Sequence, residues 1–211
     1  KHALPLMVER FAQLAEPRGE RSSRPLPQPR LRVDAEQRQP VLDKFNLTPG
    51  KLVAVFCPGA EYGPAKRWPI PYFAELAQHL QQRGYAVWIV GSPKDQETGD
   101  KIVALGNLSV RNLCGSTSLE EAVVLLSCAS LVVSNDSGLM HIAAALDRPM
   151  LALYGSSSPD FTPPLSRNAQ ILKIDIPCSP CFKRECPLGH FKCMKNLTPQ
   201  MVIEHIPAPA T

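Results

Sequence analysis

An α/β fold, with a parallel sheet covered by helices on both faces, is predicted for this 211-residue chain by three observations. Short apolar runs rich in β-branched residues alternate with segments whose apolar residues recur at helical spacing. Polar and glycine-bearing residues gather directly after those runs, where ligands bind in sheets of this kind. The chain is also long enough to bury one sizeable core, with a segment to spare.

The elements follow in order. Leu4, Met7, Val8, Phe11 and Leu14 place an amphipathic helix over residues 3–15, stopped by Pro17 and Gly19. From Glu20 to Gln39 the chain is rich in Arg, Pro and Gln and reads as an extended connector or mobile linker. After Gly50 strands and helices alternate. Leu52 to Cys57 reads as a buried strand, and Phe73, Leu76, Ala77 and Leu80 as one helix face that Gly84 ends. Ala86 to Val90 is a strand, 94–105 a helix, Val110 to Leu113 a short strand, and Leu119, Ala122, Val123 and Leu126 a helix face. Leu131 to Val133 is a strand that leads into a helix marked by Leu139, Ile142, Ala143 and Leu146. Met150 to Tyr154 and Ile171 to Ile174 are further strands, and Pro199 to Ile206 is a weak terminal helix.

Composition narrows the function. Lys and Arg total 23 against 19 Asp and Glu, a net charge of +4 that is too mild to imply nucleic acid. No apolar run nears the roughly 20 residues of a membrane span, and nothing at the start resembles a secretory signal, so a cytoplasmic chain is expected. Seven cysteines, several in core-like runs, fit a reducing compartment. The chain starts at Lys1 in the middle of a periodic pattern, which suggests a piece of something longer. It has no G-x-G-x-x-G after a strand, no P-loop and no G-x-S-x-G elbow, which argues against a dehydrogenase, an NTPase and an α/β-hydrolase.

Four post-strand loops carry the candidate chemistry: Pro58 to Pro69, Gly91 to Asp95, Asn135 to His141, and Gly155 to Pro159. In a doubly wound sheet they converge. Lys66 offers a cation to a diphosphate, Gly59, Gly138 and Gly155 permit close backbone approach, and Asp136 can accept from sugar hydroxyls. A helix beginning near Ser137 would attract an anion through its unpaired N–H groups. Each residue has a plainer reading. Asp136 and Ser137 serve equally as helix caps, His141 as a core histidine, Lys66 as a solvated lysine, and Trp68 as packing.

Three stretches carry a resemblance: F-C-P-G-A-E-Y-G-P-A-K-R-W-P from Phe56, V-S-N-D-S-G-L-M-H-I-A-A-A-L from Val133, and L-Y-G-S-S-S-P-D-F-T-P-P-L from Leu153. They resemble the bacterial ADP-heptose:lipopolysaccharide heptosyltransferases of glycosyltransferase family 9. The resemblance implies a GT-B glycosyltransferase, with two Rossmann-like domains facing a cleft, of which this chain corresponds to the C-terminal, donor-binding one. It implies an interdomain helix over 1–19, a Pro/Arg-rich linker over 20–49, the nucleotide-sugar domain over 50–175 and a Cys-rich tail with a terminal helix over 176–211. By the family pattern Lys66 contacts the ADP phosphates and Asp136 the heptose hydroxyls. Ser137, Gly138, Leu139 and His141 line the diphosphate and sugar, Asp95 lies on the ribose or adenosine side, and Gly59 is a further substrate-binding residue. The implied reaction is inverting transfer of L-glycero-D-manno-heptose from ADP-heptose to the lipopolysaccharide inner core, with no metal or cofactor required. The acceptor and the general base belong to a missing N-terminal domain, so the chain alone is expected to be inactive. The setting implied is the cytoplasmic face of the inner membrane, with peripheral membrane association and no nucleic-acid partner. The alternatives are a GT-B transferase for another nucleotide sugar and a non-catalytic binding module.

Cys178, Cys181, Cys186 and Cys193, with His190 among them, have a spacing that fits a structural zinc site, although free thiols or disulfides fit it too. Lys183, Arg184, Lys192 and Lys195 make this segment basic, which suits either an anionic headgroup or a solvated surface.

Overall fold

The computed structural model describes residues 4–20, 26–48, 52–106 and 109–207. Six strands form one parallel sheet: β1 (Leu52–Cys57), β2 (Tyr85–Ile89), β3 (Arg111–Asn112), β4 (Leu131–Asn135), β5 (Met150–Tyr154) and β6 (Ala169–Lys173). Their spatial order is β3-β2-β1-β4-β5-β6, which is the doubly wound Rossmann arrangement. The chain winds outward from β1 to one edge, then returns and builds the other half from β4. That reversal places β1 and β4 side by side in register, Cys57 opposite Ser134.

Burial on both faces explains why the strands read as continuous apolar runs. Along β1, Ala54 and Phe56 point into one core while Val53, Val55 and Cys57 point into the other, the period-two alternation of a strand. β4 divides in the same way, Leu131 and Val133 against Val132. On the first face lie α3 (Ile70–Gln82) and α4 (Gln96–Gly106), together with α7 (Lys192–Lys195) and α8 (Pro199–Ile203). Phe73, Leu76, Ala77 and Leu80 of α3 are fully covered or nearly so, and Gly84 turns the chain out of it at φ +82°. The second face is covered by α2 (Ala35–Lys44), α5 (Leu119–Ser127) and α6 (Gly138–Ala145). Ser118 starts α5 by accepting from the Glu121 N–H, and Glu121 accepts in return from the Ser118 N–H.

Several boundaries moved. The first helix, α1, covers Met7–Gln13, and residue 3 of its predicted span lies outside the described residues, as do the division at 49/50 and residues 21–25. The connector expected from Glu20 to Gln39 is not extended throughout, because α2 begins at Ala35. Asp34 opens that helix, its N–H donating 2.8 Å to Gln37 Oε1, and Leu42 seats it on the sheet side. Val41, Leu42 and Phe45 come just after the Arg/Gln-rich stretch, and Pro40 inside the helix reads as a breaker, which together hid it. α7 lies in the Cys-rich segment, where no helix was expected.

Candidate functional site

The loops after β1, β2, β4 and β5 leave the sheet at one end, and those after β1 and β4 meet where the strand order reverses. In such sheets this is the crevice in which ligands bind. A cavity of about 370 Å³ opens there, walled by Gly59 and Glu61 after β1, by Gly91, Ser92 and Asp95 after β2, and by Ser137, Gly138, Leu139 and Ile142 after β4. Five of the residues picked from sequence, Gly59, Asp95, Ser137, Gly138 and Leu139, line it. Lys66, Asp136 and His141 are not in its wall.

Lys66 closes a short 3₁₀ turn, Pro64–Lys66, and its Nζ lies 2.6 Å from Asp136 Oδ2. The two side chains are 16% and 4% exposed, so the cation and carboxylate hold one another away from bulk water. Tyr62 stacks over the same ammonium, 5.2 Å from ring centre to Nζ. His141 is exposed on the first turn of α6. The protein around it pushes its imidazole below the ordinary histidine range, Asp136 opposing that and Lys66 adding to it.

Ser137 occupies the cap position of α6 with extended backbone, but its side chain does not cap the helix. Its hydroxyl lies 3.4 Å from Ser134 Oγ instead. The first amides of α6 therefore have no side-chain acceptor at Ser137, and a Cβ on Gly138 would meet nothing within 4 Å. An open, positively polarised helix end is the kind of place that attracts an anion.

Asp95 is buried, its Oδ2 accepting from the Ser92 N–H at 3.0 Å and the Ser92 hydroxyl at 2.7 Å. Arg67 stands 4.0 Å from its other oxygen. A Cβ on Gly59 would come within 2.4 Å of that carboxylate, so Gly59 is small because Asp95 fills its space. Cys57 and Cys114 are held as neutral thiols by burial, Cys114 being pushed up to about 12, which removes thiolate chemistry from this end of the sheet.

Sequence reasoning missed Asn135. Fully buried at the end of β4, it accepts from the Trp68 N–H at 3.1 Å and donates to the Pro58 carbonyl at 2.6 Å. One amide thus pins both ends of the loop that carries Gly59 and Lys66. The available signal was a polar residue at the end of an otherwise apolar strand. Trp68 is a packing residue, edge-on to Phe73 with its Nε1–H donating to the Leu197 carbonyl.

A model of glycosyltransferase family 9 (heptosyltransferase) matches residues 1–192. The chain belongs to glycosyltransferase family 9. This family 9 chain is 45% identical, over 98% of its length, to lipopolysaccharide heptosyltransferase 2 of Salmonella typhimurium, of which it covers 62%. It superposes on the solved ADP-heptose LPS heptosyltransferase II of E. coli with a TM-score of 0.86 at 42% identity, covering 97% of this chain and 61% of that one. Against E. coli heptosyltransferase WaaC with ADP the TM-score is 0.61 at 27% identity, over 86% of this chain and 50% of the other. The chain spans about three fifths of the length of the heptosyltransferase 2 relatives it matches. The resemblance read from the three motifs is thereby established, and with it the Rossmann-like GT-B fold.

Proposed function

We propose that this chain is the donor-binding part of an inverting transferase that moves L-glycero-D-manno-heptose from ADP-heptose to the lipopolysaccharide inner core. One observation carries the reading: Lys66 is paired with Asp136, the residue before Ser137 at the uncapped start of α6, whose first residues line the crevice at the strand reversal. The named substrates of the relatives support the choice of donor.

In this reading the diphosphate draws on two sources of positive potential, Lys66 and the amides from Gly138 onward. Both gain as the bond from the anomeric carbon to the phosphate oxygen breaks and negative charge grows on the departing ADP. Asp136 accepts from heptose hydroxyls while Lys66 bridges it to the phosphates. Gly59, Leu139 and Asp95 shape the nucleoside side, and His141 offers a hydrogen bond from the first turn of α6. Asn135 positions Lys66 through the loop it pins. The transfer uses no metal. The base that takes the acceptor's proton, and the acceptor site, are assigned to the part of the relatives' length that this chain does not span, so the chain alone binds ADP without transferring.

Residues 1–19 are proposed as an interdomain helix, 20–49 as a linker, 50–175 as the donor domain and 176–211 as an appended tail. The setting proposed is the cytoplasmic face of the inner membrane, with peripheral attachment. Among the described residues no helix is long and apolar enough to cross a membrane. Calorimetry with ADP tests the reading: binding by the folded chain is expected. An absence of binding, together with Lys66→Ala and Asp136→Ala full-length enzymes that keep the parent's ADP affinity, would overturn it.

A further inference from the structure

Behind the loop that presents Lys66, the four cysteines of the C-terminal segment converge. Cys178, Cys181, Cys186 and Cys193, with His190 and Ser156, line one cavity of about 20 Å³, room for a single water-sized guest. All four cysteines are free. Hydrogen-bond donors stand beside two of the four, Cys186 and Cys178, an arrangement that suits anionic sulfur better than a neutral thiol, which is a weak acceptor. The Phe191 N–H donates to Cys186 Sγ at 3.4 Å. His190 Nδ1 accepts from the Lys192 N–H at 3.0 Å and lies 4.0 Å from Cys186 Sγ, while Nε2, then left to carry the ring proton, faces Cys178 Sγ at 4.0 Å. Ser156 Oγ, its residue 1% exposed, has no hydrogen-bond partner and stands in the same wall, a hydroxyl waiting for an acceptor. Phe182 and Phe191 both adopt left-handed backbone, φ 54° and 52°, a conformation that bulky side chains avoid. At Phe191 that conformation belongs to the residue whose amide reaches the sulfur.

The same segment is the mount of the Lys66 loop. Between Cys181 and Cys186, the Phe182 carbonyl accepts from the Tyr62 hydroxyl at 2.8 Å and the Arg184 carbonyl from the Ala65 N–H at 3.0 Å. The Phe182 N–H in turn donates to the Ser156 carbonyl at 2.7 Å. Ala65 itself borders the cysteine cavity and immediately precedes Lys66.

We propose that Cys178, Cys181, Cys186 and Cys193 bind one thiophilic transition-metal ion, of the zinc class, as thiolates, and that the ion fixes the loop presenting Lys66 to the donor diphosphate. The thiols release their protons on binding, and His190, Ser156 and the Phe191 amide act as hydrogen-bond donors to the sulfurs. Among the described residues no three metal-binding side chains enclose an ion as they stand, so rotation of the thiols toward the cavity centre accompanies binding. The second half of the proposal rests on the donor-site reading above; the first does not.

The test uses the full chain, purified under reducing conditions without chelator. Elemental analysis is expected to give about one equivalent of zinc or iron, and cobalt exchange the intense visible bands of tetrahedral thiolate ligation. Cys181→Ser and Cys193→Ser abolish both, while Cys128→Ser, outside the cluster, keeps them. Circular dichroism checks that the variants fold, and chelation of the unaltered chain asks the same question without mutation. Chelation is expected to weaken ADP binding by about tenfold or more, and added zinc to restore it. Metal below about a tenth of an equivalent with no cobalt bands, or cysteines already paired as disulfides, overturns the metal site. Metal bound while ADP affinity is indifferent to its removal overturns the coupling. ADP binding in neither form overturns the coupling and the donor reading together and leaves the metal stoichiometry to stand or fall by itself.

Discussion

Removing the Lys66 ammonium separates what the ion pair does for folding from what it does for the donor. In Lys66→Ala the Asp136 carboxylate, 4% exposed, loses a partner at 2.6 Å. Breaking a buried pair from one side costs about 3–5 kcal/mol, and the part of Lys66 still in water sets the expectation at the low end, about 3 kcal/mol. Neutralising both partners, Lys66→Met with Asp136→Asn, removes the unpaired charge and is expected to return stability to within about 1 kcal/mol of the parent. ADP affinity follows a different rule. Loss of one charge-assisted hydrogen bond to phosphate, about 1.5–3 kcal/mol, weakens binding by about 10- to 150-fold in the single and double variants alike. Urea unfolding followed by circular dichroism reads the first quantity and calorimetry the second. A double variant that regains ADP affinity along with stability would refute the reasoning, because Lys66 would then matter only as the partner of Asp136.

Three further outcomes are expected. Asn135→Ala strands the Trp68 N–H and the Pro58 carbonyl, which should cost about 2–4 kcal/mol in urea unfolding and weaken ADP binding as the loop loses its pin. Gly59→Ala drives a methyl into Asp95 and should destabilise by about 1–3 kcal/mol, whereas Gly138→Ala meets open space, should fold normally, and should bind ADP less well because the methyl stands where phosphate approaches. His141, with its folded pKa lowered from 6.5, leaves the unfolded chain holding more protons as the medium turns acid. Its contribution is therefore fully present above about pH 6.5 and is lost as pH falls through the folded value, and His141→Gln should flatten that part of the stability-pH profile.

The middle of the sheet was legible because both its faces are buried: β1, β2, β4 and β5 read as short, nearly continuous apolar runs, whereas the edge strands β3 and β6, largely exposed, were read with shifted bounds. α2 was not, since its apolar residues follow a polar stretch and a proline, and only the Asp34–Gln37 cap marked its start. The motif at Asn135 to His141 was visible as a place, but the division of labour within it was not. Whether Ser137 caps α6 or leaves it open depends on one side-chain rotation toward Ser134, and whether Asn135 binds ligand or scaffold depends on a loop 67 residues earlier in the chain. Spacing likewise showed four cysteines without showing that they back onto Ala65, a contact made across more than a hundred residues.

The open end of α6 has a practical meaning for anyone improving this protein. A serine that declines to cap its helix forgoes about 1 kcal/mol, so a thermostability screen run without nucleotide will reward changes at Ser137 and Gly138 that fill the gap. If α6 holds the diphosphate as proposed, those winners would melt later and bind ADP less well. Selection at these two positions should therefore be done with ADP in the buffer, where on the proposed reading the ligand supplies the missing acceptor and the bare helix end ceases to count as a defect.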